Sequence, residues 1–343
     1  MLDSAALHAS IVTIDTHIDI PWPTGPDPFE ARPRGPGARR VDLPKMQQGG
    51  LGAGCFAAYV PQTQRTPEAM QAATERAIGM LDAINAMGRT ENGITARVTS
   101  TADEIEAARR DGVLAVIPCV ENGHAMGEDL GLLAQFRARG ARYLTLTHNG
   151  HNALADSSNP RRDLGDAETL HGGLSELGRA AVAELNRLGM LVDISHVSQQ
   201  GALQAAMLSR TPVLATHSCV RALCDVPRNV DDLMLDAIRD CGGVVNVTAV
   251  PTFLRQGAKA DAVSVSDYVD HIDYIVKRIG LAHAGISSDF DGGGGFSDWQ
   301  DAADSPNLTA ELVRRGYGAT EIAQLWGGNF LRLLRIAEDA ARA

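Results

Sequence analysis

The sequence of 343 residues predicts an α/β protein built as one (β/α)8 barrel of the TIM type. Eight short runs of apolar and β-branched residues lack the alternation of a half-exposed strand, which is typical of parallel strands buried on both faces. Helical patterns separate these runs, and the repeated order of strand and helix indicates a parallel sheet. The length lies within the roughly 200–400 residues that one decorated barrel uses. We therefore expect residues 1–343 to form a single domain.

The predicted elements have clear boundaries. Thr101 and Glu104 form a capping box that begins one helix, and Ser175 is the N-cap of another helix that ends at Gly189. A third helix, at 266–280, carries an apolar residue every three or four positions and also ends at a glycine. The eight predicted strands are 11–19, 52–60, 113–121, 142–148, 190–196, 211–217, 242–249 and 283–291.

The segment 21–40 departs from this order. It contains six of the fifteen prolines and four arginines, and it directly follows the first predicted strand. Proline lacks the N–H that a helix interior or a central strand requires. We expect the segment to be a long loop over the mouth of the barrel, or else a locally disordered stretch.

Charge and composition argue against several classes of function. A net charge of −11 would repel phosphate backbones, so we expect no nucleic-acid partner. The apolar runs are strand-sized, short of the ~20 residues of a membrane span, and no basic stretch precedes an apolar one at the start, so we expect no membrane association and no secretory signal. The five cysteines include no Cys-x-x-Cys pair, which favours reduced thiols and a cytoplasmic location. A homodimer is compatible with these features.

Polar side chains close most of the predicted strands. Because the carboxyl ends of all barrel strands meet at one mouth, where active sites of such barrels lie, we expect these side chains to converge. Each alone is more often structural, and the joint pattern is what points to a site. The residues are His17, Asp19, Glu121, His148, His196, His217 and Asp289. The six other histidines, at positions 8, 124, 151, 171, 271 and 283, are expected to be structural or solvated.

These residue types suit a metal. His17 and Asp19 lie two apart on a strand and therefore point to the same side. Imidazole nitrogens and carboxylate oxygens are ligands of Zn²⁺, and a single catalytic zinc takes about three of them from the protein. Five candidates exceed that number, so we expect two metals that share a carboxylate, with Glu121 as the bridge. The candidate ligands are His17, Asp19, Glu121, His196 and His217.

Several strings of the sequence match one known family. RYLTLTHN, LVDISHVS, an HS pair followed by PRN, and SDFDG occur in this order, and further matches extend over nearly the whole chain. In this combination the chain resembles the membrane (renal) dipeptidase family of binuclear zinc peptidases. One departure is Ile18, which stands between the first two candidate ligands where relatives often have asparagine.

The resemblance implies a distorted (β/α)8 barrel that holds two zinc ions per chain. By the family pattern, His17, Asp19 and Glu121 hold one zinc, and Glu121, His196 and His217 hold the other. His148, Arg228 and Asp289 match the substrate-binding and catalytic positions.

The implied activity is hydrolysis of dipeptides of the type L-Xaa-L-Xaa by a hydroxide that bridges the two metals, and a D residue at the second position stays open. Glu121 takes part as the bridge, His148 would stabilise the oxyanion, and Asp289 would transfer the proton. Arg228 would bind the substrate carboxylate with its planar guanidinium. Its alternative role is a salt bridge to one of three nearby carboxylates, Asp225, Asp231 or Asp232.

Two other functions stay open for a barrel with this set of residues. An amidohydrolase-type barrel acting on N-acyl amino acids or lactams would share the metals, but many such enzymes use His-x-His and a carboxylated lysine, whereas this chain has His17-x-Asp19 and a glutamate. A non-catalytic barrel used for binding would be expected to lose ligands, and all five candidates are present.

Overall fold

The computed structural model describes residues 2–20, 27–35 and 38–342, in which eight parallel strands form a nearly closed barrel in one domain. The strands of this part of the chain are β1 Ile14–Asp19, β2 Ala53–Tyr59, β3 Thr90–Glu91, β4 Ile94–Val98, β5 Leu114–Glu121, β6 Tyr143–Thr145, β7 Leu191–Asp193, β8 Leu214–Ala215, β9 Val244–Val247 and β10 Ala284–Ile286. The α-helices are α1 Ser4–Ser10, α2 Leu43–Gln48, α3 Pro67–Asn85, α4 Ala102–Arg110, α5 Gly131–Ala138, α6 Glu176–Leu188, α7 Gln199–Leu208, α8 Asp232–Asp240, α9 Pro251–Leu254, α10 Val265–Ile279, α11 Ser305–Arg314, α12 Ala319–Ala323 and α13 Asn329–Arg342.

The barrel strands follow the order β1-β2-β5-β6-β7-β8-β9-β10, and every neighbouring pair is parallel. Two backbone hydrogen bonds join β1 to the chain that follows β10: the N–H of Asp19 donates to the carbonyl of Phe290 at 3.0 Å, and the N–H of Asp289 donates to that of His17 at 3.1 Å. Each of the eight predicted runs contains one of these strands, so the predicted fold class is confirmed.

A hairpin at 90–98 was not predicted. Asn92 and Gly93 form its turn with φ of 50° and 78°, and β3 pairs antiparallel with β4. Strand β4 then pairs in parallel with the first residues of β5, whereas β6 pairs with the last two, Val120 and Glu121. The barrel is therefore distorted at β5. Along one edge of this strand, β4 is the neighbour of the first half and β6 is the neighbour of the second half.

The predicted helix boundaries are observed. The Thr101 side chain accepts from the backbone of Glu104 and the Glu104 carboxylate accepts from that of Thr101, which completes the capping box. Ser175 caps α6, and Gly189 ends it with a left-handed φ of 67°. Within the described part of the chain, no helix is both long and apolar enough to cross a bilayer.

Two buried apolar clusters support the barrel. One fills its interior with residues such as Ile14, Ile117 and Tyr143 and continues into Leu333 of α13, while the larger one lies between the sheet and the surrounding helices. All five cysteines are free thiols, four of them buried. Buried polar side chains, for example His17 and Glu121, lie at the carboxyl ends of the strands.

The segment 21–40 lies partly outside the described residues, which omit 21–26 and 36–37. Its described part contains neither helix nor strand, as expected. Phe29 is buried beneath the guanidinium of Arg89, which stands 4.2 Å from the ring centroid. The Asp291 carboxylate accepts from the backbone N–H groups of Arg40 and Val41 at 2.7 and 3.2 Å. The end of the segment is thus attached to the loop that follows β10.

Candidate metal centre

The carboxyl ends of six barrel strands bring the seven predicted polar side chains together. His17 and Asp19 lie on β1, Glu121 is the last residue of β5, and the others follow β6, β7, β8 and β10 within three residues. Ligand atoms lie within 4.8 Å of one another in three overlapping groups, which are His17, Glu121 and His217; Glu121, His148 and His196; and His17, Asp19 and Asp289.

Glu121 stands at the centre of this cluster. Its Oε2 lies 3.3 Å from Nε2 of His17, while its Oε1 lies 3.3 Å from Nε2 of His196 and 3.5 Å from Nε2 of His217. The Nε2 atoms of His196 and His217 are 3.0 Å apart. The two oxygens of one carboxylate therefore face two different sets of ring nitrogens.

The local backbone is unusual where these side chains emerge. His196 and Asp289 adopt left-handed φ values of 66° and 57°, which are uncommon for residues with a Cβ and are found mostly where the surroundings enforce them. Gly292 lies against the carboxylates of Asp19 and Asp289, and a Cβ at this position would overlap with both. Glycine is therefore required for the loop after β10 to pass this close to the site.

Each histidine nearest to Glu121 has its second ring nitrogen occupied. The Tyr143 hydroxyl donates to the carbonyl of Thr16 at 3.1 Å, so it can only accept from Nδ1 of His17 at 2.9 Å. Such bonds fix the ring orientation and hold a proton on Nδ1, so Nε2 is the nitrogen that can bind a metal, as in metal-ligating histidines. Nδ1 of His196 lies 3.3 Å from the amide oxygen of Asn149, and Nδ1 of His217 lies 2.8 Å from the hydroxyl oxygen of Thr216.

The electrostatics of the cluster suit a cation. Burial alone would raise the pKa of Glu121, but its attraction to His17 holds that pKa well below the usual range. Burial and repulsion from Glu121 raise the pKa of Asp19 well above its ordinary value, and Oδ1 of Asp19 is buried without a hydrogen-bond partner. Imidazole nitrogens and carboxylate oxygens together are a donor set that binds divalent metals such as zinc. These residues therefore fit a bound metal.

The comparisons with known proteins agree with this geometry. Residues 2–343 match the sequence profile of the membrane dipeptidase family, Peptidase family M19. The chain belongs to this family. Family membership supports a metallopeptidase hydrolase, and together with the cluster around Glu121 it indicates a metal cofactor.

Individual known proteins are similar over most of the chain. Dipeptidase aclJ of Aspergillus oryzae is 33% identical over 308 residues, which cover 89% of this chain and 71% of the relative. The probable dipeptidase PvdM from Pseudomonas aeruginosa has a crystal structure that superposes with a TM-score of 0.91 at 30% identity and covers 98% of both chains. A metallopeptidase from Rhodobacter sphaeroides was solved with a phosphinate mimic of the dipeptide L-Ala-D-Ala. Its structure superposes with a TM-score of 0.82 at 28% identity, and the match covers 95% of this chain and 99% of that chain.

Arg228 of this M19 peptidase lies beside the cluster. Its guanidinium donates to the Ser218 hydroxyl at 3.1 Å and to the carbonyl of His217 at 3.0 Å, while its Nε is buried without a partner. Burial lowers the pKa of Arg228 to about 10, so the group stays charged at neutral pH.

The alternative role of Arg228, a salt bridge to Asp225, Asp231 or Asp232, is wrong. Among the described residues, each of these three carboxylates has another partner. Asp225 pairs with Arg221 and Asp232 pairs with Arg278, at 2.7 and 3.3 Å. Asp231 caps α8 by accepting from the backbone of Met234.

Two further titratable groups line the site. Burial lowers the pKa of His148 to about 4, so its imidazole is neutral at pH 7; Nε2 lies 3.9 Å from Oε1 of Glu121. Burial raises the pKa of Asp289 to about 7 in the metal-free site. His148 can therefore donate a hydrogen bond without carrying a charge. Asp289 can both accept and release a proton near neutral pH, because its pKa is about 7.

Other residues of the site were not predicted. Tyr59 pairs in register with Glu121, and its ring lies 4.8 Å from that of His148. Tyr143, Asn149 and Thr216 contact the second ring nitrogens of the histidines around Glu121, as described above. The one available signal was position, because Thr216 and Asn149 are next in sequence to His217 and His148.

The remaining histidines are hydrogen-bonded away from the cluster. For example, Nε2 of His171 faces the carbonyl of Asn152 at 2.8 Å. The hydrogen-bond partners of the others are Thr309 and Gly49 for His8, Thr63 for His124, Ser157 for His151, Leu254 for His271 and Gly243 for His283.

Proposed function

We propose that the protein is a zinc-dependent dipeptidase with two zinc ions per chain. His17, Asp19 and Glu121 would hold one ion, and Glu121, His196 and His217 the other. The observation that carries this proposal is the position of Glu121, whose two oxygens lie 3.3 Å from the ring nitrogens of His17 and His196 respectively. A carboxylate placed in this way can bridge two cations.

When bound, two zinc ions supply a water of lowered pKa as the nucleophile and polarise the scissile carbonyl. The neutral His148 imidazole donates a hydrogen bond to the oxygen that becomes negative during attack. Asp289, with a pKa raised by burial to about 7 before metal binding, accepts the proton of the attacking water and passes it to the leaving amine.

The ends of the substrate are bound by charge. The unpartnered Nε of Arg228, together with the second hydrogens of its terminal nitrogens, can bind the carboxylate at the C-terminus of a dipeptide. The free amino group would lie near the carboxylates of Asp19 or Glu121. Recognition of both termini would limit the substrate to two residues and so distinguish a dipeptidase from an endopeptidase.

We include dipeptides whose second residue is D in the proposed substrate class. The metallopeptidase from Rhodobacter sphaeroides was solved with a phosphinate mimic of L-Ala-D-Ala, which supports this extension. The proposed cellular location is the cytoplasm, which five free cysteines favour. Recovery of the native protein mainly from membranes or from the medium would refute that location.

The test is a screen of the purified protein against L-Xaa-L-Xaa and L-Xaa-D-Xaa dipeptides, with N-acyl amino acids and lactams as comparison substrates. Elemental analysis of the same sample gives the metal content, and protein stripped by a chelator and then reloaded with zinc is the control. We expect about two zinc ions per chain and zinc-dependent cleavage of dipeptides. Preference for N-acyl amino acids would favour the amidohydrolase function, and absence of bound metal would favour a non-catalytic barrel.

A further inference from the structure

His217 is connected to a buried carboxylate through a hydroxyl group. Its Nδ1 lies 2.8 Å from Oγ1 of Thr216, and that hydroxyl lies 2.6 Å from Oδ2 of Asp193. Asp193 and Thr216 are both fully buried, and His217 is nearly so. The three residues form a continuous chain of hydrogen bonds that begins at the ring nitrogen facing away from Glu121.

The hydrogen atoms in this chain can have one direction only. A threonine hydroxyl has a single hydrogen, and Thr216 donates it to the carboxylate of Asp193. Its oxygen must then accept from His217, which places the ring proton on Nδ1 and leaves the lone pair on Nε2. The Nε2 atom is the one that faces Oε1 of Glu121, at 3.5 Å.

Asp193 is itself held on all sides. Its Oδ1 accepts from the backbone N–H groups of Ser195 and Thr216 at 2.9 and 3.0 Å, and its Oδ2 also accepts from the hydroxyl of Thr145 at 2.6 Å. These donors belong to β6 and to the chain at the ends of β7 and β8. One carboxylate therefore connects the ends of the two strands that carry His196 and His217.

The groups that contact Nδ1 of His17 and Nδ1 of His196 are neutral. The Tyr143 hydroxyl that accepts from His17 donates to a backbone carbonyl. The Asn149 amide oxygen that accepts from His196 lies farther away, at 3.3 Å. Among the three histidines that surround Glu121, His217 has the only such chain that ends on a carboxylate within the described residues.

We propose that Thr216 and Asp193 are positioning residues that fix the tautomer and orientation of His217 and thereby set the zinc affinity of the position shared by His196 and His217. This inference rests on the proposed function in one respect, namely that His217 binds zinc. Carboxylates that act on metal-ligating imidazoles through hydrogen bonds increase metal affinity by about 10–100-fold.

The first experiment compares Thr216→Val with Thr216→Ser. Valine keeps the shape of threonine and removes the hydroxyl, while serine keeps the hydroxyl and removes the methyl group. Zinc affinity is measured by competition with a chromophoric chelator. We expect one of the two zinc ions to bind about 10–100-fold more weakly in Thr216→Val, and Thr216→Ser to bind close to wild type.

The chain offers a matched control at Thr309. Its hydroxyl is also buried and lies 2.6 Å from Nδ1 of His8, and it accepts from the indole N–H of Trp326 at 2.8 Å. Thr309→Val therefore removes a comparable threonine–histidine hydrogen bond away from the cluster. We expect it to lower the melting temperature without changing the zinc affinity.

The second readout is independent of bound metal. Nitrogen-15 NMR of the metal-free protein reports the tautomer of each histidine, and we expect His217 to carry its proton on Nδ1 in wild type and in Thr216→Ser but to populate both tautomers in Thr216→Val. Unchanged zinc affinity and an unchanged tautomer in Thr216→Val would overturn the inference. An equal loss of affinity in Thr309→Val would also overturn it, since the effect would then be one of general stability. Wild type that binds no zinc would instead contradict the proposed function.

Discussion

Replacing Arg228 by methionine tests how the site recognises its substrate. Methionine keeps much of the length of the side chain but removes the guanidinium, whose Nε is buried and unpartnered. Losing a hydrogen bond to a charged group costs about 1.5–3 kcal/mol. At about 1.4 kcal/mol for each factor of ten, kcat/KM for dipeptides should fall by about 10–150-fold. Because the carboxylate is bound in both ground and transition states, the change should lie mainly in KM.

The assay compares a good dipeptide with its C-terminal amide. Wild type should hydrolyse the amide poorly, whereas Arg228→Met should lose little further activity when the carboxylate is removed. Zinc content must be measured in parallel, because the guanidinium also donates to the carbonyl of His217. Arg221→Met is the matched control, since Arg221 is half-exposed and pairs with Asp225 at the surface.

One result would refute this reasoning. If wild type cleaves free and amidated dipeptides at equal rates, Arg228 does not bind the substrate carboxylate. The dipeptidase proposal would then lose its account of substrate length. An equal loss of activity in Arg221→Met would show that the effect of the substitution is not specific to the site.

Three other predictions follow from the same geometry. Glu121→Gln should lower both zinc content and turnover, because a neutral amide bridges two cations poorly; full zinc content with normal turnover would contradict the bridge. Asp289→Asn should reduce kcat by about 10²–10⁴-fold while zinc and discrimination against the amidated dipeptide are retained; loss of zinc would instead make Asp289 a ligand. In the metal-free protein the folded pKa of Asp289, about 7, lies above its ordinary value of 3.8, so wild type should lose stability as pH rises through this range. Asp289→Asn should lose less, because it keeps only the contribution of other buried carboxyl groups such as Asp15, whose pKa burial raises to about 6; parallel curves of melting temperature against pH for the two proteins would contradict this.

The convergence of the seven polar side chains could be predicted from the sequence, because all parallel strands of a barrel end at the same mouth. A residue at the carboxyl end of a buried parallel strand points to the same mouth as every other such residue. His17 and Asp289 are far apart in sequence, yet the backbones of both meet at the closure of the barrel. No knowledge of side-chain packing was needed for this step.

The hairpin at 90–98 was missed although its signal was present. Asn-Gly is the strongest short-range indication of a two-residue turn, because both residues tolerate positive φ. The strands on either side are short, and β3 has only two residues. A search for long apolar runs passes over such a hairpin, since its strands bury little side-chain surface.

The residues that hold the histidines could not have been found in this way. Tyr143 lies within a predicted strand and resembles any aromatic residue that favours a sheet. Its hydrogen bond to His17 joins residues 126 positions apart across the barrel interior. That contact depends on which face of the strand points inward and on how the barrel closes, and neither is encoded in local periodicity.

The left-handed backbone at the mouth has a consequence for how this protein can change. Asn122, His196, Asp289 and Asp291 all have positive φ, and such conformations cost of order 1–3 kcal/mol each in residues other than glycine. Replacement by glycine would relieve that strain. At Asn122 and Asp291 it would also remove hydrogen bonds to neighbouring backbone groups, whereas at His196 and Asp289 it would remove a side chain that faces the cluster. Selection for thermal stability alone would therefore favour substitutions at His196 and Asp289, which the proposed function needs. Heat-resistant variants chosen without an activity screen should accumulate changes at this rim.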